Sequence, residues 1–191
     1  MSTDALMDAL LSRRSVSPRR QAWPGPSAAQ LQQMVQAALR APDHGRKLPW
    51  RFIEFDDARR AELAQLFEDE KRRRTANASA QDIERAWAHA TQTPAMLAFV
   101  VRPQPDAAVP EHEQWLSAGA ALGNLLLAAH AMGFGAIVLS GDRCKDEILR
   151  NALGVARGET LAGFVSIGTA ASPVPPASPV DIGRVLSTWA P

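Results

Sequence analysis

Apolar positions along the chain fall into two kinds of run. In the first kind they recur every three or four residues. Leu6, Leu10 and Leu11 share one face of a short amphipathic helix over Asp4–Ser12, and Leu31, Met34, Val35, Ala38 and Leu39 line a second helix. Ser27 and Gln30 stand at capping-box spacing ahead of that second helix. It stops at RAPDH, because the ring of Pro42 disfavours helical backbone at Ala41. Asp56 or Asp57 then heads a charged helix to about Arg74, and a polar helix runs from roughly Ser79 to Thr91.

The second kind is continuous. AMLAFVV (Ala95–Val101), GAIVLSG (Gly135–Gly141) and LAGFVSIG (Leu161–Gly168) read as central strands covered on both faces, and PWRFIEF (Pro49–Phe55) as a further strand. Leu116–Gly141 carries no Asp, Glu, Lys or Arg over 26 residues, long enough to span a membrane. Its glycines, Asn124, His130 and many alanines point instead to a fully buried helix over about Glu111–Met132, followed by a buried strand. Cys144–Leu153 predicts a short helix ended by Gly154, RPQPDAAVP a surface loop, and SPVPPASPV an extended proline-rich tail from about residue 172. Together these elements predict one α+β domain over residues 1–191, a central sheet flanked by helices. Ala118, Gly119, Ala120, Ala121 and Gly123 allow the long helix a close approach to the sheet or to a symmetry mate.

Composition narrows the function. At 191 residues and 46% hydrophobic content the chain can bury one good core. Twenty-one basic against twenty acidic residues leave a net charge of +1, which argues against general nucleic-acid binding. One cysteine, Cys144, excludes an intramolecular disulfide framework. Met1–Leu11 has two aspartates and no long apolar core, so no secretory signal is expected and the protein reads as soluble and cytoplasmic.

Basic residues nevertheless concentrate in two places. LLSRRSVSPRR (Leu10–Arg20) holds four arginines. Arg13, Arg14 and Ser15 follow the first helix, where they either complement its dipole or clamp a phosphate through bidentate charge-assisted bonds. No glycine-rich phosphate loop is present, so any phosphate has to be held by side chains. RAPDHGRKLPW (Arg40–Trp50) is dense in Arg40, Asp43, His44, Arg46 and Lys47, as a solvated loop or as the rim of a site for a planar anionic ligand. His112 in EHEQW begins like a zinc-protease motif, but Leu116 stands where the second histidine belongs, so no metal is expected. His130 reads as a hydrogen-bonded core or interface residue and His89 as part of a solvated helix face. Cys144, between Arg143 and Lys145, sits where a thiol pKa can be lowered, although a single cysteine is more often just a packed residue. No G-x-S-x-G elbow or triad spacing accompanies it.

In this order the stretches resemble the nitroreductase family, and within it the small YdjA-like branch. The resemblance rests on R-R-S after a short helix, A-P-D-H ahead of P-W, a small-residue helix ending in G-F-G, a strand ending in S-G, and GFVSIGT, and it spans Asp4 to Thr169. It implies an FMN-dependent flavoprotein built as an intertwined homodimer with FMN at each subunit interface. NADH or NADPH would be the electron donor, and a nitroaromatic, quinone or similar small molecule the acceptor, in ping-pong order. Arg13, Arg14 and Ser15 match phosphate-side contacts; Arg40 and His44 match positions that reach the flavin from the other subunit; Val138, Leu139 and Ser140 match the strand end lining the cofactor. No catalytic side chain is expected, because the flavin carries the chemistry. Asp43 and Arg46 replace the Ser and Asn of the broader family, although the branch shares Asp-His. Leu48 replaces a common Gln, and Val138-Leu139-Ser140 stands where the branch has Trp-Arg-Ser, which removes an arginine. Leu48 and Leu139 motivate a second reading, a flavin-binding module for storage or sensing without turnover. A third takes Arg13–Arg20 as a docking patch for an acidic partner.

Overall fold

The structure, a computed structural model, describes residues 3–106, 108–172, 174–175 and 178–190. In chain order the elements are α1 (Thr3–Ser12), β1 (Gln21–Ala22), α2 (Ala28–Ala38), β2 (Trp50–Glu54), α3 (Arg60–Arg74), α4 (Ala80–Thr91), β3 (Ala95–Val101), α5 (Glu111–Ala131), β4 (Phe134–Leu139), α6 (Glu147–Ala152) and β5 (Thr160–Ala170). This is the α+β arrangement expected.

Every named strand pairing is antiparallel, and β5 is the centre of the sheet. One edge of β5 pairs with β3 from Ala95↔Ile167 to Val101↔Thr160, and β3 pairs in turn with β2. Its other edge pairs with β4 from Phe134↔Thr169 to Leu139↔Phe164. β1, too short to announce itself in the sequence, joins the end of β5 at Gln21↔Ala170. The β4 strand is therefore not central, as its apolar run suggested, but lies at an edge. Its backbone is covered there by the segment after α1, where Ser15 bridges Ala136.

Two cores explain why β3 has no polar face. Leu97, Phe99 and Val101 pack against α2 and α5 through Met34, Ala38, Ala121 and Leu125. Met96, Ala98 and Val100, alternating with them, pack against α3, α4 and α6 through Leu63, Phe67, Ala90 and Leu149. Local signals fix the helix starts. Ser27 Oγ accepts from Gln30 N at 3.3 Å while Gln30 Oε1 accepts from Ser27 N at 2.9 Å, and Ser79 and Asp82 repeat the box at α4. Asp56 caps a 3₁₀ turn that leads into α3.

Two further expectations change. The helix expected over Cys144–Leu153 is a 3₁₀ turn (Asp142–Lys145) followed by α6, because Asp146 accepts from Leu149 N at 2.7 Å and starts a new helix. And α5 is buried along one side only. Ala118, Ala121, Leu125 and Ala129 face the sheet, whereas Leu116 is 71% exposed and a Cβ on Gly119 or Gly123 would meet nothing within 4 Å. An alanine-rich helix looks alike from either side; sequence could not tell which side the sheet covers. No helix among the described residues is long and apolar enough to cross a membrane. Part of the proline-rich tail lies outside the described residues; beyond it Val185, Leu186 and Trp189 are exposed.

Candidate functional site

Arg13 and Arg14 are placed by the way the chain leaves α1. Residues 13–16 run along the free edge of β4, where Val16 N donates to Ala136 O at 3.1 Å. The approach needs a glycine opposite: a Cβ on Gly135 would lie 2.7 Å from Val16 Cβ. Ser12, Arg14, Phe134, Gly135 and His130 border a cavity of about 270 Å³ at this end of β4.

The electrostatics of that end are one-sided. Arg14 Nη1 donates to the carbonyls of Leu11 at 2.7 Å and Arg13 at 2.8 Å, so part of its role is to finish α1. Its Nε is buried without a hydrogen-bond partner. No carboxylate pairs with Arg13 or Arg14 among the described residues. Ser12 Oγ gives its proton to Asp8 O at 2.5 Å and therefore accepts from His130 Nε2 at 3.0 Å. Burial, then the charges of Arg13 and Arg14, hold the His130 pKa below its usual value. His130 is thus hydrogen-bonded as expected, and it also belongs to a cationic cluster that the sequence did not reveal.

Farther along, β4 offers backbone. The carbonyl of Ala136 turns to Val16, so the N–H and C=O of Val138, two residues on, face the same free edge. The Val138 side chain packs on the α2–α5 core, Leu139 borders a second cavity, and Ser140 is exposed after the strand.

That second cavity, about 340 Å³, lies against α3, α4 and the turn holding Arg143. Arg143 donates from Nε to the fully buried Glu70 at 3.0 Å, lies over the Phe67 ring at 4.0 Å, and sets Nη1 2.7 Å from His89 Nδ1. His89 is therefore not on a solvated face. Burial first, then Arg143 and Arg60, lowers its pKa to about 4. Cys144 is a packed residue: burial pushes its thiol up, outweighing neighbouring Arg143, which makes it a poor nucleophile. The Glu70–Arg143–His89 network was missed because its members are 73 and 54 residues apart and no local spacing joins them.

The Arg40–Trp50 loop forms a third group. Gly45, Arg46 and Leu48 all have positive φ, at 71°, 53° and 47°, a conformation that costs about 1–2 kcal/mol for the two non-glycines. Asp43 holds the loop by accepting from Leu48 N at 2.8 Å, while its Oδ1 is buried without a partner. His44 Nδ1 meets Glu113 Oε2 at 2.8 Å, at the start of α5. Arg40, Asp43, Leu48 and Trp50 border a cavity of about 650 Å³.

One chain does not bring all these residues together. Arg13–Ser15 and Val138–Ser140 share the edge of β4. Arg40 and His44 do not join them. The partner of His44, Glu113, and the partner of Ser12, His130, stand 17 residues apart on α5, roughly 25 Å along its axis.

An antiparallel sheet carrying helices on both faces, with unanswered cations beside an edge strand, defines a protein suited to an anionic cofactor. Comparison with known proteins agrees with that class. The Nitroreductase family model matches residues 10–169. YdjA from Escherichia coli (strain K12), named for an inferred NAD(P)H nitroreductase activity, is 33% identical over 166 residues, covering 87% of this chain and 88% of the relative. A crystal structure of a nitroreductase-like family protein from Bacillus cereus superposes with a TM-score of 0.86 at 19% identity, covering 99% of this chain and 98% of that one. The FMN-dependent nitroreductase from Clostridium difficile R20291 reaches 0.68 at 19% identity, covering 96% and 99%; these two likenesses concern the fold. The chain belongs to the nitroreductase family.

Proposed function

We propose that this chain is an FMN-dependent NAD(P)H oxidoreductase that works as a homodimer and reduces nitroaromatics, quinones or similar acceptors. The observation that carries the reading is the cation cluster at the start of β4: among the described residues Arg13 and Arg14 have no carboxylate partner, and the buried Arg14 Nε has no acceptor. Such a cluster suits the phosphate of FMN, with the hydroxyl of Ser15 as a further contact. From there the cofactor would run along the free edge of β4 toward Val138, Leu139 and Ser140, where the outward backbone of Val138 and the groups of Ser140 beyond the strand can take polar atoms of the ring.

Arg40 and His44 would come from the second subunit. The separation on α5 of Glu113, the partner of His44, from His130, the partner of Ser12, supports this, since a twofold partner can bring one end of α5 to the other. Exposed Leu116, the open sides of Gly119 and Gly123, and the bare apolar tail around Trp189 are the surfaces an intertwined dimer would cover. Glu113 holds the ring of His44 in place.

Bound FMN supplies the redox chemistry. The protein would supply position: Arg13 and Arg14 would anchor the phosphate, the β4 edge would carry the ring, and apolar Leu139 would exclude water near it. No acid or base is needed among the side chains, and donor and acceptor use one site in turn, the ping-pong order. A nicotinamide-dependent enzyme with a free thiol suits the reducing cytoplasm. Leu48 and Leu139 present hydrocarbon where polar groups could tune a ring, which favours as second reading a flavin store that no nicotinamide reduces.

Titrating FMN into apoprotein tests the cluster. Arg14→Ala should weaken FMN binding by about tenfold or more, since a charge-assisted bond is worth about 1.5–3 kcal/mol. Unchanged affinity in a folded variant would sink the assignment.

A further inference from the structure

The cavity at the far end of β4 contains groups that the reading above leaves unused. Its cations are Lys71, Arg74, Arg85 and Arg143, and the one carboxylate on its wall is Asp82. Behind the wall Glu70 is shared by Arg74 and Arg143, so the cavity keeps an excess of two positive charges. Arg85 makes no ion pair among the described residues, and Lys71 is a loose 3.9 Å from Asp82.

His89 adds a neutral donor. Its Nδ1 accepts from Arg143 Nη1 at 2.7 Å, which puts the proton of the uncharged ring on Nε2. That Nε2 is buried and unpartnered in a residue that lines the cavity. Arg143 is fixed by Phe67 beneath it and Glu70 beside it, so its guanidinium is preorganised. Apart from Asp82, the polar side chains facing this space are donors, and their excess charge is positive. That chemistry suits an anionic oxygen group.

An anionic oxygen could arrive on the electron donor, as a phosphate, or on the acceptor, as a carboxylate. Leu139 belongs both to this cavity and to the strand end proposed to line the flavin, so a group held here lies close to the reacting ring. The phosphates of NAD(P)H stand well away from its nicotinamide, whereas a carboxylate on an aromatic acceptor is one ring away from the group being reduced. We infer that the Lys71–Arg85–Arg143 cavity binds the carboxylate of the acceptor, making anionic aromatic nitro compounds or quinones the preferred acceptor class. This rests on the flavin reading.

The test uses FMN-loaded wild type and Arg85→Ala, with 4-nitrobenzoate and its neutral isostere 4-nitrobenzamide as acceptors, and with benzoate titrated against the flavin spectrum. The expected result is a wild-type preference for the benzoate in kcat/KM. In Arg85→Ala that preference should fall about tenfold, through KM, and benzoate binding should weaken by a similar factor. Lys71→Ala should act in the same direction. Equal rates on both acceptors in the wild type, or an unchanged ratio in both variants, would overturn the inference. So would a change confined to the NADPH/NADH ratio, which would assign the cavity to a donor phosphate, or a loss of FMN itself, which would assign it to the cofactor. A wild type that holds no FMN would instead refute the flavin reading, and this inference with it.

Discussion

Ser12 Oγ and His130 Nε2 meet at 3.0 Å, joining the end of α1 to the last turn of α5 beside two arginines. His130 is held below its usual pKa by burial and by Arg13 and Arg14. A bound phosphate dianion opposes those charges, so FMN should raise the His130 pKa. By linkage, binding of the dianion and protonation of His130 should favour each other. NMR titration of the His130 ring with and without FMN checks this. A ring that titrates identically in the two forms would contradict it.

His89 predicts an acid-sensitive fold. Its native pKa, about 4, lies below the unfolded value near 6.5, so the unfolded chain binds the proton first. Stability is therefore highest above about pH 6.5 and falls between there and about pH 4. From pH 7 to pH 5 this one group should cost about 2 kcal/mol. Urea unfolding of wild type and His89→Gln at both pH values measures it; an equal pH dependence in the two proteins would remove His89 from the account.

Gly135→Ala should damage both the fold and the cofactor site. The added methyl would sit 2.7 Å from Val16 Cβ and push residues 13–16 off β4. Overpacking of this kind costs about 1–3 kcal/mol. Thermal unfolding should show that loss, and FMN affinity should drop with it because Arg13 and Arg14 move. Gly119→Ala, at a position on α5 that is open within one chain, is the comparison that should spare the fold of the single chain.

Leu116→Arg places a charge on the open side of α5, where the side chain is 71% exposed in a single chain. The monomer fold should survive. If α5 meets a second copy, sedimentation should show dimer for the wild type and monomer for the variant, with FMN content reduced because Arg40 and His44 no longer reach the site. A variant that remains dimeric would move the interface elsewhere.

What the sequence could reveal divides along physical lines. Signals within one turn or one strand were legible: the Ser27–Gln30 box, the apolar runs of β3 and β5, and the Arg13–Arg14 pair after α1. Pairings across the fold were not. The edge position of β4 depends on Ser15 supplying its neighbour. The burial of His89 depends on Arg143 and Phe67, and the break at Asp146 on a single capping bond. For Cys144 the neighbouring charge is visible in sequence and the burial that outweighs it is not. The residues of the candidate site were named by resemblance; the cationic cavity beyond Leu139 was visible only once α3, α4 and the Arg143 turn came together.

The most direct measurement is a visible absorption spectrum of the purified protein, repeated after anaerobic addition of NADH or NADPH. The account predicts a flavin spectrum that bleaches with one or both nicotinamides. A protein that is colourless and cannot be reconstituted with FMN, or one whose bound flavin neither nicotinamide reduces, would contradict it.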